Sequence, residues 1–179
     1  MALFNLIGRN HRRYGGYIIH LGVVLIAIGI IGDAFFKQET QGTLSAGQSL
    51  SIGGYQLQFQ ELKGYPGSDG RDVVEAVTSL SQNGKVIDEL NPRRDFFVTQ
   101  KQPVTVPGVY STPRMDFYVL LVGWDESGTS ATFKIYINSL INWLWIGGIV
   151  MILGTIIAAW SNPSKLEATY VLKPEALTA

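Results

Sequence analysis

A histidine inside a long apolar run is the residue of this chain best suited to chemistry. The run reads Tyr14-Gly-Gly-Tyr-Ile-Ile-His20-Leu-Gly-Val-Val-Leu-Ile-Ala-Ile-Gly-Ile-Ile-Gly32. An ionisable group inside an apolar helix is costly and by default marks a functional position. A neutral imidazole is a common ligand of haem iron and of other metals. His20 can equally bond a neighbouring helix or reach the interface, since it lies only about one turn inside the run. Residue type alone leaves these alternatives open. His11 belongs to the basic group Arg9, Arg12 and Arg13 and reads as a solvated interface residue. Arg12 and Arg13 could pair with haem propionates, but cations placed directly before an apolar run already act as orientation signals.

Elsewhere the charges are densest at Arg93, Arg94, Asp95, Arg114 and Asp116, between the two apolar segments and with no histidine among them. Surface pairing is the expectation there, with partner contact as the second reading. No phosphate loop, nucleophile motif or HExxH is present. The chain has no cysteine, which excludes disulfides, thiolate metal sites, CxxC redox chemistry and a c-type haem attached to this chain. Lys plus Arg and Asp plus Glu number 14 each in 179 residues, so the basic excess of a nucleic-acid binder is missing.

The elements that must hold His20 follow from hydropathy. The 20 residues Tyr17 to Phe36, at about 1.5 Å each, span about 30 Å, the thickness of a bilayer core. A secretory h-region is shorter, about 7–15 residues, so an uncleaved helix is expected, with Tyr14 and Tyr17 at one interface and Phe35 and Phe36 at the other. Asp33 would lie at the far boundary, still able to reach water. Leu140 to Trp160 reads as a second membrane helix, bounded by Trp143, Trp145 and Trp160 and stopped by Asn162-Pro163. At about 100° per residue, Gly16, Val24, Ala27 and Ile31 share the direction of His20. Gly15, Gly22 and Gly29 form a seam on roughly the opposite side. Gly147 and Gly154 offer a matching seam, and such small residues let helices approach closely.

Between the helices the texture changes to short alternating segments. Ser49–Ile52, Gly53-Gly54 and Tyr55–Gln60 read as a hairpin, as do Val73–Leu80, Asn83-Gly84 and Lys85–Leu90. Asn-Gly suits the two positive-φ positions of a type I′ turn. Further strands are expected at 95–99, 116–123 and 130–137. Pro103, Pro107 and Pro113 make 100–115 a loop. The fold class expected is a membrane protein of α plus β type, two transmembrane helices flanking a small antiparallel β-sandwich or barrel-like extracytoplasmic domain.

Taken together, Arg12-Arg-Tyr-Gly-Gly-Tyr-Ile-Ile-His20 with its following apolar run, and Ile141-Asn-Trp-Leu-Trp-Ile-Gly-Gly-Ile-Val-Met-Ile-Leu-Gly-Thr155, resemble the last part of the CcmF family of cytochrome c-type biogenesis proteins. Leu44-Ser-Ala-Gly-Gln-Ser-Leu-Ser-Ile-Gly-Gly-Tyr55, Asn91-Pro-Arg-Arg-Asp-Phe-Phe97 and Asp116-Phe-Tyr-Val119 are similar to that family's periplasmic segment. The resemblance implies a haem lyase that joins carrier-delivered haem to the CxxCH thiols of apocytochrome c. It also implies a b-type haem held between two membrane histidines, of which His20 matches one, as an axial ligand of the haem iron. The family's tryptophan-rich haem-handling segment, its outer-face histidines and its other membrane histidine have no counterpart here. Ser139 stands where the family more often has proline.

The plan so implied has a cytoplasmic segment 1–13, a transmembrane helix 14–36, a periplasmic β-domain 37–138, a second transmembrane helix 139–160 and a cytoplasmic tail 161–179. It places the chain in a bacterial inner membrane as a split subunit or truncated product. Its partners would be the N-terminal haem lyase part, haem-carrier and apocytochrome c maturation proteins and membrane lipid, with no nucleic acid. The competing readings are a non-enzymatic scaffold that docks maturation partners without haem on His20, and a generic two-helix anchor for an outer β-domain.

Overall fold

The computed structural model describes residues 11–97 and 103–160. The expectations for Arg9, for the Asn162-Pro163 stop and for the tail 161–179 lie outside the described residues. Contacts divide the described residues into two units, one drawn from residues 11–26 and 145–160 and the other from within residues 27–144.

Two helices run through both units: α1 (His11–Phe36) and α2 (Asn142–Ala159). Both are long and apolar enough to cross a membrane. In the first unit their contact is made by glycine. A Cβ on Gly22 would stand 2.8 Å from the Gly147 carbonyl oxygen, and one on Gly15 would stand 2.5 Å from the Ala158 nitrogen. Gly154 similarly meets the backbone of Ile19 at 2.8 Å. Backbones this close exclude any side chain, the usual device where helices associate without a hydrophobic driving force. Leu21, Val23, Val24, Ile152 and Leu153, by contrast, are exposed.

The second unit is a β-sandwich. One sheet has the order β1 (Gln38–Ser45), β10 (Ser130–Ser139), β9 (Met115–Trp124), β8 (Gly108–Ser111). The other runs β2 (Ser49–Ile52), β3 (Tyr55–Pro66), β4 (Asp72–Gln82), β6 (Arg93–Phe96), β7 (Val104–Val106), with β5 (Lys85–Leu90) also on β4. All pairings are antiparallel. Period-two alternation puts Phe117, Val119 and Leu121 of β9 and Ala131, Phe133 and Ile135 of β10 inside, against Leu57, Phe59, Ala76 and Leu80 of the facing sheet. Phe59 and Phe133 meet across the core at 5.4 Å between ring centres.

Both expected hairpins are present, with φ of 53° and 76° at Asn83 and Gly84 and of 58° and 81° at Gly53 and Gly54. Two expectations need correction, and one strand is additional to them. Residues 100–115 are not one loop, because β7 and β8 lie within them; Pro103, Pro107 and Pro113 fall beside these strands, and β7 is an edge strand, where a neighbouring proline costs no ladder bond. β1 was not expected because Leu44 is its only buried apolar residue. The strand placed at 95–99 begins earlier, at Arg93.

Within this unit the last turns of α1 meet the entry to α2. A Cβ on Gly29 would stand 2.6 Å from the Leu144 nitrogen, and one on Gly32 would stand 2.7 Å from the Leu140 Cβ. Leu140 has a φ of 59°, uncommon for a residue with a side chain. The Ser139 hydroxyl donates to the Phe36 carbonyl at 3.1 Å, capping one of the orphan carbonyls of α1. A proline at 139 could not do this.

Candidate functional site

His20 lies on the exposed side of α1. Its Nδ1 is 2.9 Å from the carbonyl oxygen of Gly16. A carbonyl only accepts, so the ring must donate through Nδ1–H, and in the neutral imidazole Nε2 then carries the lone pair. Metal-binding histidines are commonly oriented in this way, the other ring nitrogen tied to a backbone carbonyl. A Cβ on Gly16 would meet nothing within 4 Å, while Tyr17, Leu21 and Val24 around it are all exposed. The seam glycines Gly15 and Gly22 are buried. The helix therefore has the two faces its sequence implies, one spent on close packing and one open around His20.

One turn before His20, the Arg13 Nε donates to the Tyr17 hydroxyl at 2.9 Å, with the guanidinium 5.8 Å from the ring centre. The side chain of His11 lies outside the described residues. Asp33 is half-buried, and its Oδ1 is closed off without a hydrogen-bond partner among the described residues, so only part of the carboxylate reaches water.

The charges singled out in the outer segment do not converge. Asp95 is 2% exposed, which corrects the expectation of surface pairing. It accepts Arg71 Nη1 at 2.9 Å, and Arg93 Nε lies 3.2 Å from its other oxygen without hydrogen-bond geometry. Arg71 escaped the sequence reading because it precedes its strand and is 24 residues away from Asp95. Arg94, one residue along β6, points the other way, donating to the Val122 carbonyl at 2.7 Å. Asp116 is also buried, in a separate cluster: its Oδ1 accepts the Ser111 hydroxyl and the Asn142 amide, each at 2.7 Å. The Asn142 amide also bonds the Thr112 carbonyl at 2.6 Å. Arg114 is exposed beside this knot, and its carbonyl accepts Leu140 N–H. Among the described residues no group of three or more histidines or acidic residues is arranged to hold a metal ion.

On the surface, Asp125 accepts from the Ser127 and Thr129 hydroxyls and from Ser130 N–H, which hold its carboxyl well below the usual range, the Ser127 bond contributing most. The Glu75 carboxylate accepts from Tyr65 and pushes that phenol up.

The model of the CcmF C-terminal beta-sandwich matches residues 35–139, more than half of the chain. The chain belongs to the CcmF family. A probable cytochrome c-type biogenesis protein NrfE of Escherichia coli is 27% identical over 154 residues, covering 84% of this chain and 27% of that protein. The cytochrome c-type biogenesis protein CcmF of Pseudomonas aeruginosa is 28% identical over 154 residues, covering 86% of this chain and 23% of that protein. The chain thus spans about a quarter of the length of the curated CcmF and NrfE relatives it matches. A solved structure titled Cytochrome c Heme Lyase CcmF shares the fold, with a TM-score of 0.73 at 22% identity over 86% of this chain and 25% of that one.

Proposed function

We propose that this chain acts in cytochrome c maturation as the C-terminal part or a split subunit of a haem lyase, and that His20 is one axial ligand of a membrane-embedded b-type haem. The observation that carries the reading is the state of His20: Nδ1–H is committed to Gly16, Nε2 has no partner among the described residues, and the surrounding helix face is open. An imidazole held in this way offers one nitrogen to iron. The missing Cβ of Gly16 leaves room beside the ring for a flat macrocycle. The exposed apolar side chains of Tyr17, Leu21 and Val24 would keep water from its edge. When bound, such a haem supplies one-electron transfer, which would keep the iron of incoming haem reduced. The second ligand comes from another chain or from a further part of a longer protein.

In this reading α1 and α2 cross the bacterial inner membrane with both termini in the cytoplasm, and the sandwich of residues 37–138 stands on the periplasmic side. Arg12 and Arg13 at the start of α1 support that orientation. The sandwich, with its well-packed core and no group of metal-ligating side chains among the described residues, serves to meet maturation partners and apocytochrome.

The test is co-purification with the partner that supplies the remaining haem lyase segments, followed by reduced-minus-oxidised difference spectra. Wild type should show a b-type signal that His20→Ala loses together with cytochrome c maturation. A signal that survives unchanged would remove His20 as a ligand. Maturation that survives loss of the signal would leave the scaffold reading in its place.

A further inference from the structure

The end of α1 carries a cluster that the haem reading does not use. Helix α1 stops at Phe36, and Phe35 and Phe36 are 78% and 63% exposed. Lys37 follows immediately, with Nζ 4.9 Å from the centre of the Tyr136 ring. Lys134 reaches the same ring at 5.0 Å. The two ammonium groups therefore lie within about 10 Å of each other. Residues 131, 133, 135 and 137 of β10 are buried, so Lys134 and Tyr136 face outward. The register sets Glu39 opposite Tyr136 and Gln41 opposite Lys134, on the same outer side.

Two cations on one ring repel unless an anion joins them. Glu39 answers in part, at 3.9 Å from Lys134, and is itself exposed. Among the described residues Lys37 has no carboxylate within ion-pairing distance. The cluster thus keeps a net positive charge. The Tyr136 hydroxyl and the Glu39 carboxylate raise the Lys134 pKa, so that lysine stays charged at neutral pH.

We propose that Lys37, Lys134 and Tyr136, with Phe35 and Phe36, form a seat for the headgroup of an anionic phospholipid. The proposal rests on the reading that α1 crosses a membrane. On that reading the hydrocarbon core ends at Phe35 and Phe36, and the headgroup layer beyond it is about 5–8 Å thick. Lys37 stands at that depth, and Lys134 is brought to it by sharing the ring. Lysines that extend apolar stems toward the interface, beside aromatic rings, are the usual anchors at this level. A free phosphate would use only the two cations, whereas a phospholipid uses the cations and the two phenyl rings together. Adjacent anionic headgroups attract a basic residue by roughly fivefold in affinity each.

The full chain should be incorporated into vesicles of mixed phosphatidylglycerol and phosphatidylcholine, recovered in mild detergent, and the retained lipid quantified by mass spectrometry. Wild type is expected to retain phosphatidylglycerol preferentially. Lys37→Gln/Lys134→Gln should lose that preference by roughly tenfold or more, with little change in the thermal unfolding of the sandwich because Lys37 is exposed and Lys134 points outward from the core with one exposed ion-pair partner. Tyr136→Leu should lose part of it. Equal retention by wild type and the double variant would overturn the proposal while leaving the membrane reading intact. Displacement of the lipid by inorganic phosphate would also overturn it, in favour of a free-phosphate site. A chain that enters neither neutral nor anionic vesicles would remove the membrane reading and this proposal with it.

Discussion

Gly22 and Gly147 pack with reciprocal closeness: a Cβ on Gly22 would stand 2.8 Å from the Gly147 carbonyl oxygen, and one on Gly147 would stand 2.7 Å from that of Gly22. The first substitution test follows directly. Gly22→Val or Gly147→Val should force the helices apart and cost about 1–3 kcal/mol, the usual cost of overpacking. Gly16→Ala, which meets nothing within 4 Å, should leave the pair intact. Thermal unfolding in detergent, followed by circular dichroism, would separate the two cases; since alanine is the better helix former, equal destabilisation by Gly16→Ala would show that the close glycine contact is not what the valines disturb.

Asp116 is buried and depends on two donors, Ser111 and Asn142. Asn142→Leu removes one donor and also frees the Thr112 carbonyl. Leaving buried acceptors unpaired costs about 1–3 kcal/mol. The sandwich should therefore melt earlier in Asn142→Leu, and Asp116→Leu/Asn142→Leu should recover part of the loss, since removing both partners leaves fewer orphans. A double variant no better than the sum of its singles would contradict this account.

The buried carboxylate of Asp95 makes a second such test. Among the described residues Arg71 is the one well-aligned cationic donor to Asp95; Arg71→Ala should destabilise the sandwich by about 1–3 kcal/mol, less than a fully buried pair because Arg71 itself is partly exposed. Arg94→Ala, whose guanidinium bonds Val122 instead, should be additive with it. Urea unfolding of the singles and the double would show coupling if the two arginines shared a partner.

Asp125 gives the acid limb of stability a specific contributor. Its folded pKa lies below the unfolded value near 4 because three donors favour the carboxylate. The contribution is thus complete above about pH 4 and is lost as pH falls below it toward the folded pKa. Asp125→Asn should lower stability at pH 7 and show a shallower decline on acidification than wild type. Parallel pH curves for the two proteins would remove this assignment.

Much of this architecture can be read from the chain because its signals are local. The Asn83-Gly84 and Gly53-Gly54 turns need positive φ, which only a few residues adopt readily, and both appear where those dipeptides occur. Glycines seven apart predict a close helix contact, and Gly15, Gly22, Gly147 and Gly154 make one. The features that escaped depend on distant partners. Asp116 and Asn142 are 26 residues apart, and nothing in either neighbourhood announces the other. β1 is polar along almost its whole length, so its place is decided by backbone pairing with β10 rather than by burial. His20 shows both kinds of signal at once: its helix face is legible from the 100° period, whereas the tether to Gly16 that frees Nε2 emerges only in three dimensions.

Iron binding by Nε2 of His20 is probed more sharply by replacing one ligand type with another than by deletion. A methionine thioether in place of an axial imidazole raises a haem's reduction potential. A redox titration of the membrane haem in the co-purified complex should therefore give a higher midpoint for His20→Met than for wild type, with an altered reduced spectrum. An unchanged midpoint and spectrum in a fully haem-loaded His20→Met complex would contradict the account.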